Sequence, residues 1–134
     1  AKFYQKRLGD LRDITYSNQG WAATKTYASK NSAALERFTA AVIEAIAVVK
    51  RNKQKTLPVL PKYTGVTNDE WNSYAYEFFM PLLSTVPRMT TDVVKATQEL
   101  SAVEETRKLN LKPYINNSYV DKLVSQGFID KLYR

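Results

Sequence analysis

The chain has 134 residues, enough for a single domain with a core of its own. It contains no cysteine and no histidine, which excludes disulfides and thiol chemistry and removes the commonest general base and the commonest zinc ligand. Hydrophobic residues at 44% and charged residues at 25% exclude a largely disordered chain, and the net charge of +7 needs nothing more than solubility to explain it.

The opening Ala1-Lys2-Phe3-Tyr4-Gln5-Lys6-Arg7 has no apolar stretch behind it, so no signal peptide is visible. The expectation is either a cytosolic protein or one whose signal-bearing piece lies elsewhere. No apolar run approaches the roughly 18 residues of a membrane span. Over 14–29 the turn residues Ser17, Asn18, Gln19 and Gly20 separate two groups of β-formers. These are Ile14, Thr15 and Tyr16, then Trp21, Thr24, Thr26 and Tyr27. One strand or a short hairpin is predicted there, the single β signal in the chain.

A helix is predicted over 31–51, capped by Asn31, with Leu35, Phe38, Val42, Ala45 or Ile46, and Val49 on its core stripe. The small residues Ala33, Ala34, Ala40, Ala41 and Ala47 mark another face that a neighbour can approach closely. Lys50, Arg51, Lys53 and Lys55 form the one dense basic cluster. It falls at this helix's C-terminal end, where the helix dipole favours cations without any partner. Pro58 and Pro61 predict a short or broken helix over 54–63, closed by Thr64-Gly65. The next helix, over 68–84, has a capping box of Thr67 with Glu70 and a core stripe of Trp71, Tyr74, Phe78 and Leu82, and Pro81 ends or kinks it near Met80. A further helix spans 91–108, capped by Thr90 or Thr91, with Val93, Ala96, Leu100 and Val103 inward. After a loop holding Pro113, Asn116 or Asn117 caps a short helix through Val120, Leu123 and Val124. Gly127 stops it, and Phe128, Ile129, Leu132 and Tyr133 make a last apolar turn.

Three stretches in order carry a resemblance. The first is Asp10-Leu11-Arg12-Asp13 with Tyr16-Ser17-Asn18-Gln19-Gly20. The second runs from Asn31-Ser32-Ala33-Ala34-Leu35-Glu36-Arg37-Phe38 into Ala45-Ile46-Ala47-Val48-Val49-Lys50-Arg51-Asn52. The third is Asn117-Ser118-Tyr119-Val120-Asp121-Lys122-Leu123 with the ending Gln126-Gly127-Phe128-Ile129-Asp130-Lys131-Leu132-Tyr133. Together with Pro61-Lys62-Tyr63-Thr64-Gly65, this set resembles the C-terminal part of the extracytoplasmic solute-binding proteins of ABC importers, of the nitrate, sulfonate, taurine and thiamine-pyrimidine-precursor type. The resemblance covers nearly the whole chain through the order of its stretches. Ser32 stands where the family has proline, and Pro58 and Pro61 interrupt a helix that is regular in many relatives.

The resemblance implies a mainly α chain with a short β element, forming the C-terminal segment of a two-lobed α/β type 2 periplasmic-binding-protein fold. It implies one unit over 1–134, with a lobe-crossing β segment over 1–29 and a helical segment over 30–134. It further implies a periplasmic or extracytoplasmic location, with the signal peptide removed. The partners it implies are a small-molecule ligand, an ABC permease in the membrane and an N-terminal part of the same protein. A homodimer or a domain swap through the 14–29 strand is a further expectation.

The best ligand-site candidate is Asn18, Gln19, Gly20 and Trp21, preceded by Ser17. Polar side chains and free backbone donors beside an indole suit an anionic or heteroaromatic molecule, although a plain turn beside a core tryptophan has the same signature. The aromatics of 71–79 have core spacing and no interleaved basic residues, so neither stacked bases nor a cofactor is expected of them. Asp69 with Glu70, and Glu104 with Glu105, are helix neighbours that do not face each other, so no acid–base pair is predicted; no Asp-x-Asp spacing suggests a metal site, and the four glycines stand too far apart for a phosphate loop. The expected function is solute capture for an importer, without catalysis, cofactor or nucleic acid. The alternative is a stand-alone helical module that binds a protein partner or an acidic polymer. An enzyme on the same fold, a pyrimidine-precursor synthase, ranks last, because its chemistry needs residues this chain lacks.

Overall fold

The computed structural model describes residues 20–134. Among them the α-helices are α1 (Lys25–Lys30), α2 (Ser32–Arg51), α3 (Lys53–Thr56), α4 (Leu60–Thr64), α5 (Asp69–Phe79), α6 (Thr91–Glu99), α7 (Glu104–Lys108), α8 (Ser118–Ser125) and α9 (Phe128–Tyr133). Short 3-10 turns follow α3 and α5 and precede α8. These residues fall into two compact units, 22–88 with 116–134, and 20–21 with 89–115.

The expected α/β segment is corrected here: no strand occurs among the described residues, and the architecture is helical. Of the predicted β element over 14–29, residues 14–19 lie outside the described residues, while 20–24 are irregular and 25–30 are α1. The reason is local. The Thr24 hydroxyl accepts the Tyr27 backbone N–H at 3.1 Å and starts a helix where β-formers had suggested a strand. Lys25, Ala28 and Lys30 then supply good helix formers, and no sheet is available to reward an extended chain.

The core of the larger unit is built on the small face of α2. Ile43 is 0% exposed and packs with Leu123 of α8 and Ile129 of α9; Ala40, Val86, Val124, Phe128, Leu132 and Tyr133 close around them. The buried positions on α2 are Ile43 and Ala47, four apart, so they share a face. Phe38, expected inward, is 42% exposed, and Val42, Ile46 and Val49 are half-buried. The stripe of larger residues is therefore secondary. Alanines at 40 and 47 let α8 and α9 approach closely, and that approach seals Ile43. An ion pair between Lys122 and Glu36 at 2.7 Å edges the same packing.

Helix ends differ from the sequence reading in two places. Asn31 precedes α2, but its side chain donates back to the Tyr27 carbonyl at 3.1 Å and does not cap α2. The cap of α5 is Asn68, whose side chain accepts the Trp71 N–H at 2.9 Å, in place of the expected Thr67–Glu70 box. Other ends follow the sequence. Gly65 (φ 71°) closes the broken α3–α4 segment and Gly127 (φ 64°) separates α8 from α9, both in the left-handed region that disfavours a Cβ. The α5 helix gives way to a 3-10 turn at Met80, ahead of Pro81.

In the smaller unit the single helix predicted over 91–108 is two. Thr90 caps α6 through Val93 N–H at 3.3 Å. The chain then breaks after Glu99, leaving Leu100 69% exposed and Val103 also exposed, where both were expected in the core. The Gln98 amide donates to the Thr106 carbonyl and, at 2.7 Å, to the Leu109 carbonyl, while the Arg107 guanidinium donates to the Ser101 carbonyl at 2.7 Å. These side-chain bonds fold α7 back and replace the backbone bonds of a continuous helix.

Candidate functional site

Of the predicted ligand residues, Asn18 and Gln19 lie outside the described residues. Gly20 and Trp21 are exposed, Trp21 at 78%. A Cβ on Gly20 would stand 3.2 Å from the Met89 methyl, so the backbone there runs close to its neighbour. Trp21 is not the core tryptophan of a plain turn.

The described surface instead offers an open groove of about 500 Å³ in the larger unit. Three adjoining turns of α2 and α3 contribute Glu44, Ala47, Val48, Arg51, Asn52 and Lys55; α9 contributes Lys131 and Leu132. Helical spacing explains part of the set: Glu44, Ala47, Val48 and Arg51 lie three or four apart on one face of α2, and Asn52 and Lys55 follow across the break between α2 and α3. The buried Ala47 and half-buried Leu132 form an apolar floor, and the charged side chains stand at the rim.

The basic cluster divides by task. The Lys50 ammonium donates to the carbonyls of Met80 at 2.9 Å and Leu83 at 2.5 Å, tying α2 to the end of α5. The Arg51 guanidinium donates to the Leu132 carbonyl and, at 3.4 Å, to the Arg134 carbonyl, holding the end of α9 against α2. Lys53 pairs with Glu77 at 2.5 Å. Lys55 and Lys131 make no side-chain hydrogen bond or ion pair among the described residues. The helix dipole thus explains less of this cluster than tertiary bonds do. The groove escaped sequence reasoning because Lys131 reaches it only through the packing of α9; the 50–55 cluster was its visible half.

Close by, burial raises the Tyr133 phenol above its ordinary value of 10.0, partly opposed by the positive charge of Arg51. Its hydroxyl is buried and lacks a hydrogen-bond partner among the described residues.

The aromatic stripe of α5 is also not where the sequence put it. Asn72 and Tyr76 are the buried residues of this helix. The Asn72 amide donates to the Val66 carbonyl at 2.9 Å and the Tyr76 hydroxyl to the Val49 carbonyl at 2.7 Å, so a polar pair pins the inner face. Trp71, Tyr74 and Phe79 lie exposed, with Phe78 between them. Tyr74 stacks on Phe78 at 6.3 Å, and Trp71 and Phe79 close the row edge-on.

Among the described residues no cluster of three acidic side chains is placed to hold a metal ion, and no helix is long and apolar enough to cross a membrane. No protein-family model, curated protein or solved structure matches the chain.

Proposed function

We propose that the chain is a helical part of a solute-capture protein that delivers a small anionic or heteroaromatic molecule to an ABC importer outside the cytoplasm. The observation that carries this reading is where two of the three resembling stretches fall. Residues 31–52 form α2, residues 117–129 form α8 and the start of α9, and they meet through Ile43, Leu123 and Ile129. Segments far apart in sequence thus form one packed unit. The reading rests on these stretches and their packing, not on an α/β architecture. In it no bond is made or broken: the ligand is trapped, then released at the permease. The partners are the ligand, the permease and a further part of the same protein. That part would cover the aromatic row of α5, because an exposed contiguous apolar face on a helical unit calls for a cover.

The test is the open reading frame that encodes these residues. A much longer parent frame with an N-terminal export signal is expected, and its purified product should gain thermal stability from an anionic or heteroaromatic solute. A frame that begins and ends with these residues overturns the proposal.

The α5 row favours a second reading, a stand-alone module that binds a protein partner, because Trp71, Tyr74 and Phe79 present large, preformed contact area. Under it, Tyr74→Lys abolishes partner binding and leaves any solute-induced stabilisation unchanged.

A further inference from the structure

We infer that the outer face of α2 is a self-association surface, on which a second copy of this chain packs antiparallel, helix against helix. The inference rests on α2 alone and stands whether or not the protein serves an importer. It is separate from the aromatic row of α5 and from any exchange of residues 14–29.

Spacing comes first. Ala34, Phe38, Ala41, Ala45 and Val48 follow one another at alternating steps of four and three, the period of a seam between two helices. The sealed core residue Ile43 lies about half a turn round the helix from this row, because α8 and α9 pack on the far side. Exposure comes second. Phe38, Ala41, Ala45 and Val48 are exposed, Val48 at 53%, and Ala34 is half-buried. The alanines permit close approach of a second helix, and Phe38 supplies the one large knob. Charge comes third, and it names the occupant. Arg37 and Glu44 flank the same edge of the row, but about 10 Å of helix separates them, too far for a pair within one copy. Neither makes an ion pair or a side-chain hydrogen bond among the described residues. A two-fold axis that crosses α2 between residues 40 and 41 sets Arg37 of each copy level with Glu44 of the other, on the same edge. The same axis drops Phe38 of each copy between Ala41 and Ala45 of the other. One register thus pairs both charges twice and fills the gap that the small residues leave. A parallel pair would set Arg37 against Val42 instead, with no such match.

The experiment is sedimentation velocity on the full chain and two charge-reversal variants, from about 5 to 500 µM, because a seam of this length belongs with small, weak interfaces. The unaltered chain should form a reversible dimer, and the amide shifts of Phe38, Ala41, Ala45 and Val48 should move with concentration. Arg37→Glu sets like charges against Glu44 at both ends of the seam, and Glu44→Arg does the same against Arg37. Each variant should weaken the dimer about tenfold, as two exposed ionic contacts allow. An equimolar mixture of the two variants regains both opposite-charge contacts in the antiparallel register, so it should associate about as strongly as the parent. Arg37 and Glu44 are exposed, so both variants should keep the fold. Three outcomes overturn the inference. One is a parent chain that stays monomeric across the range, which would leave this face to another part of a longer protein. The others are a dimer that neither reversal weakens, and a mixture that associates no more than either variant alone. The shift map on the unaltered chain decides the matter even if a variant fails to fold, since concentration-dependent shifts confined to other elements overturn it as well.

Discussion

At the scale of single residues, half-buried polar groups carry much of the information. Lys50 is the clearest case, because its ammonium serves two carbonyls at a point where the chain leaves α5 and helical N–H donors run out. Lys50→Met keeps the aliphatic stem and strips both bonds. It should cost about 1–3 kcal/mol in urea denaturation, since bonds to a charged donor are the stronger kind, although the Met80 carbonyl keeps the Leu83 N–H at 3.4 Å. Lys55→Met, a few residues away and free of such bonds, should change stability little. Tyr133 makes the opposite case. Its hydroxyl is buried without a partner, so Tyr133→Phe should be neutral or stabilising by up to about 1 kcal/mol at neutral pH. The sign of its pH dependence follows from the raised pKa. Between the unfolded and folded values the native state binds the extra proton, so its stabilising contribution is complete below pH 10.0 and is lost as pH rises through the folded value. Denaturant midpoints above pH 10 should therefore fall more steeply for the parent than for Tyr133→Phe; parallel curves would remove Tyr133 from the account.

At the scale of elements, period was legible and phase was not. The helices at 32–51, 69–79 and 118–125 stand where periodicity put them, and the breaks at Pro58, Pro61, Gly65, Met80 and Gly127 fall where proline and glycine chemistry predicts. On α2 the small face open to close approach was legible at Ala40 and Ala47, but the core stripe was assigned to the wrong residues. Leu35, Phe38, Val42 and Val49 make the stronger apolar stripe, but burial goes to the face where Ala40 and Ala47 allow close approach, and sequence periodicity scores size rather than approach distance. The same error hid the polar inner face of α5, where Asn72 and Tyr76 are pinned by carbonyls from residues distant in sequence. In α6 and α7 the rule that failed was continuity, because a helix-like pattern gave no sign that Gln98 would take over the bonds of the Thr106 and Leu109 carbonyls. Helix α1 shows a further failure, its capping Thr24 read as a β-former. These phases can be tested against each other. Ile43→Ala should destabilise by about 2–4 kcal/mol, because it empties a fully buried site, while Phe38→Ala should cost far less although it removes more atoms. The reverse order would restore the stripe expected from the sequence.

At the scale of the whole molecule, stability is expected to be uneven. The larger unit has a sealed centre in Ile43, Leu123 and Ile129, and Ala47, Tyr76 and Val120 are buried as well. In the smaller unit none of the described residues is buried: Val93, Ala96 and Leu111 are half-buried, and Leu100, Val103, Leu109 and Tyr114 are exposed. Its helices are short, and the side-chain bonds that shape it lie near solvent, as do the Lys108–Glu104 and Lys95–Glu99 pairs, which contribute little at such exposure. Local opening free energy follows buried apolar contact, so α6 and α7 should open well before global unfolding. Native-state hydrogen exchange reads this directly. Amides of α2 around Ile43 should exchange near the global limit, and those of Val94 to Glu99 orders of magnitude faster. Equal protection in α6 and α2 would mean that the smaller unit has a core of its own, and the exposed Leu100 and Val103 would then need a different explanation from the one given by the break after Glu99. If α6 is as labile as expected and gains protection when a solute or a further part of the protein is added, the ordering agent can be identified from the same spectra. The amides it protects would also show which of the exposed apolar side chains it covers.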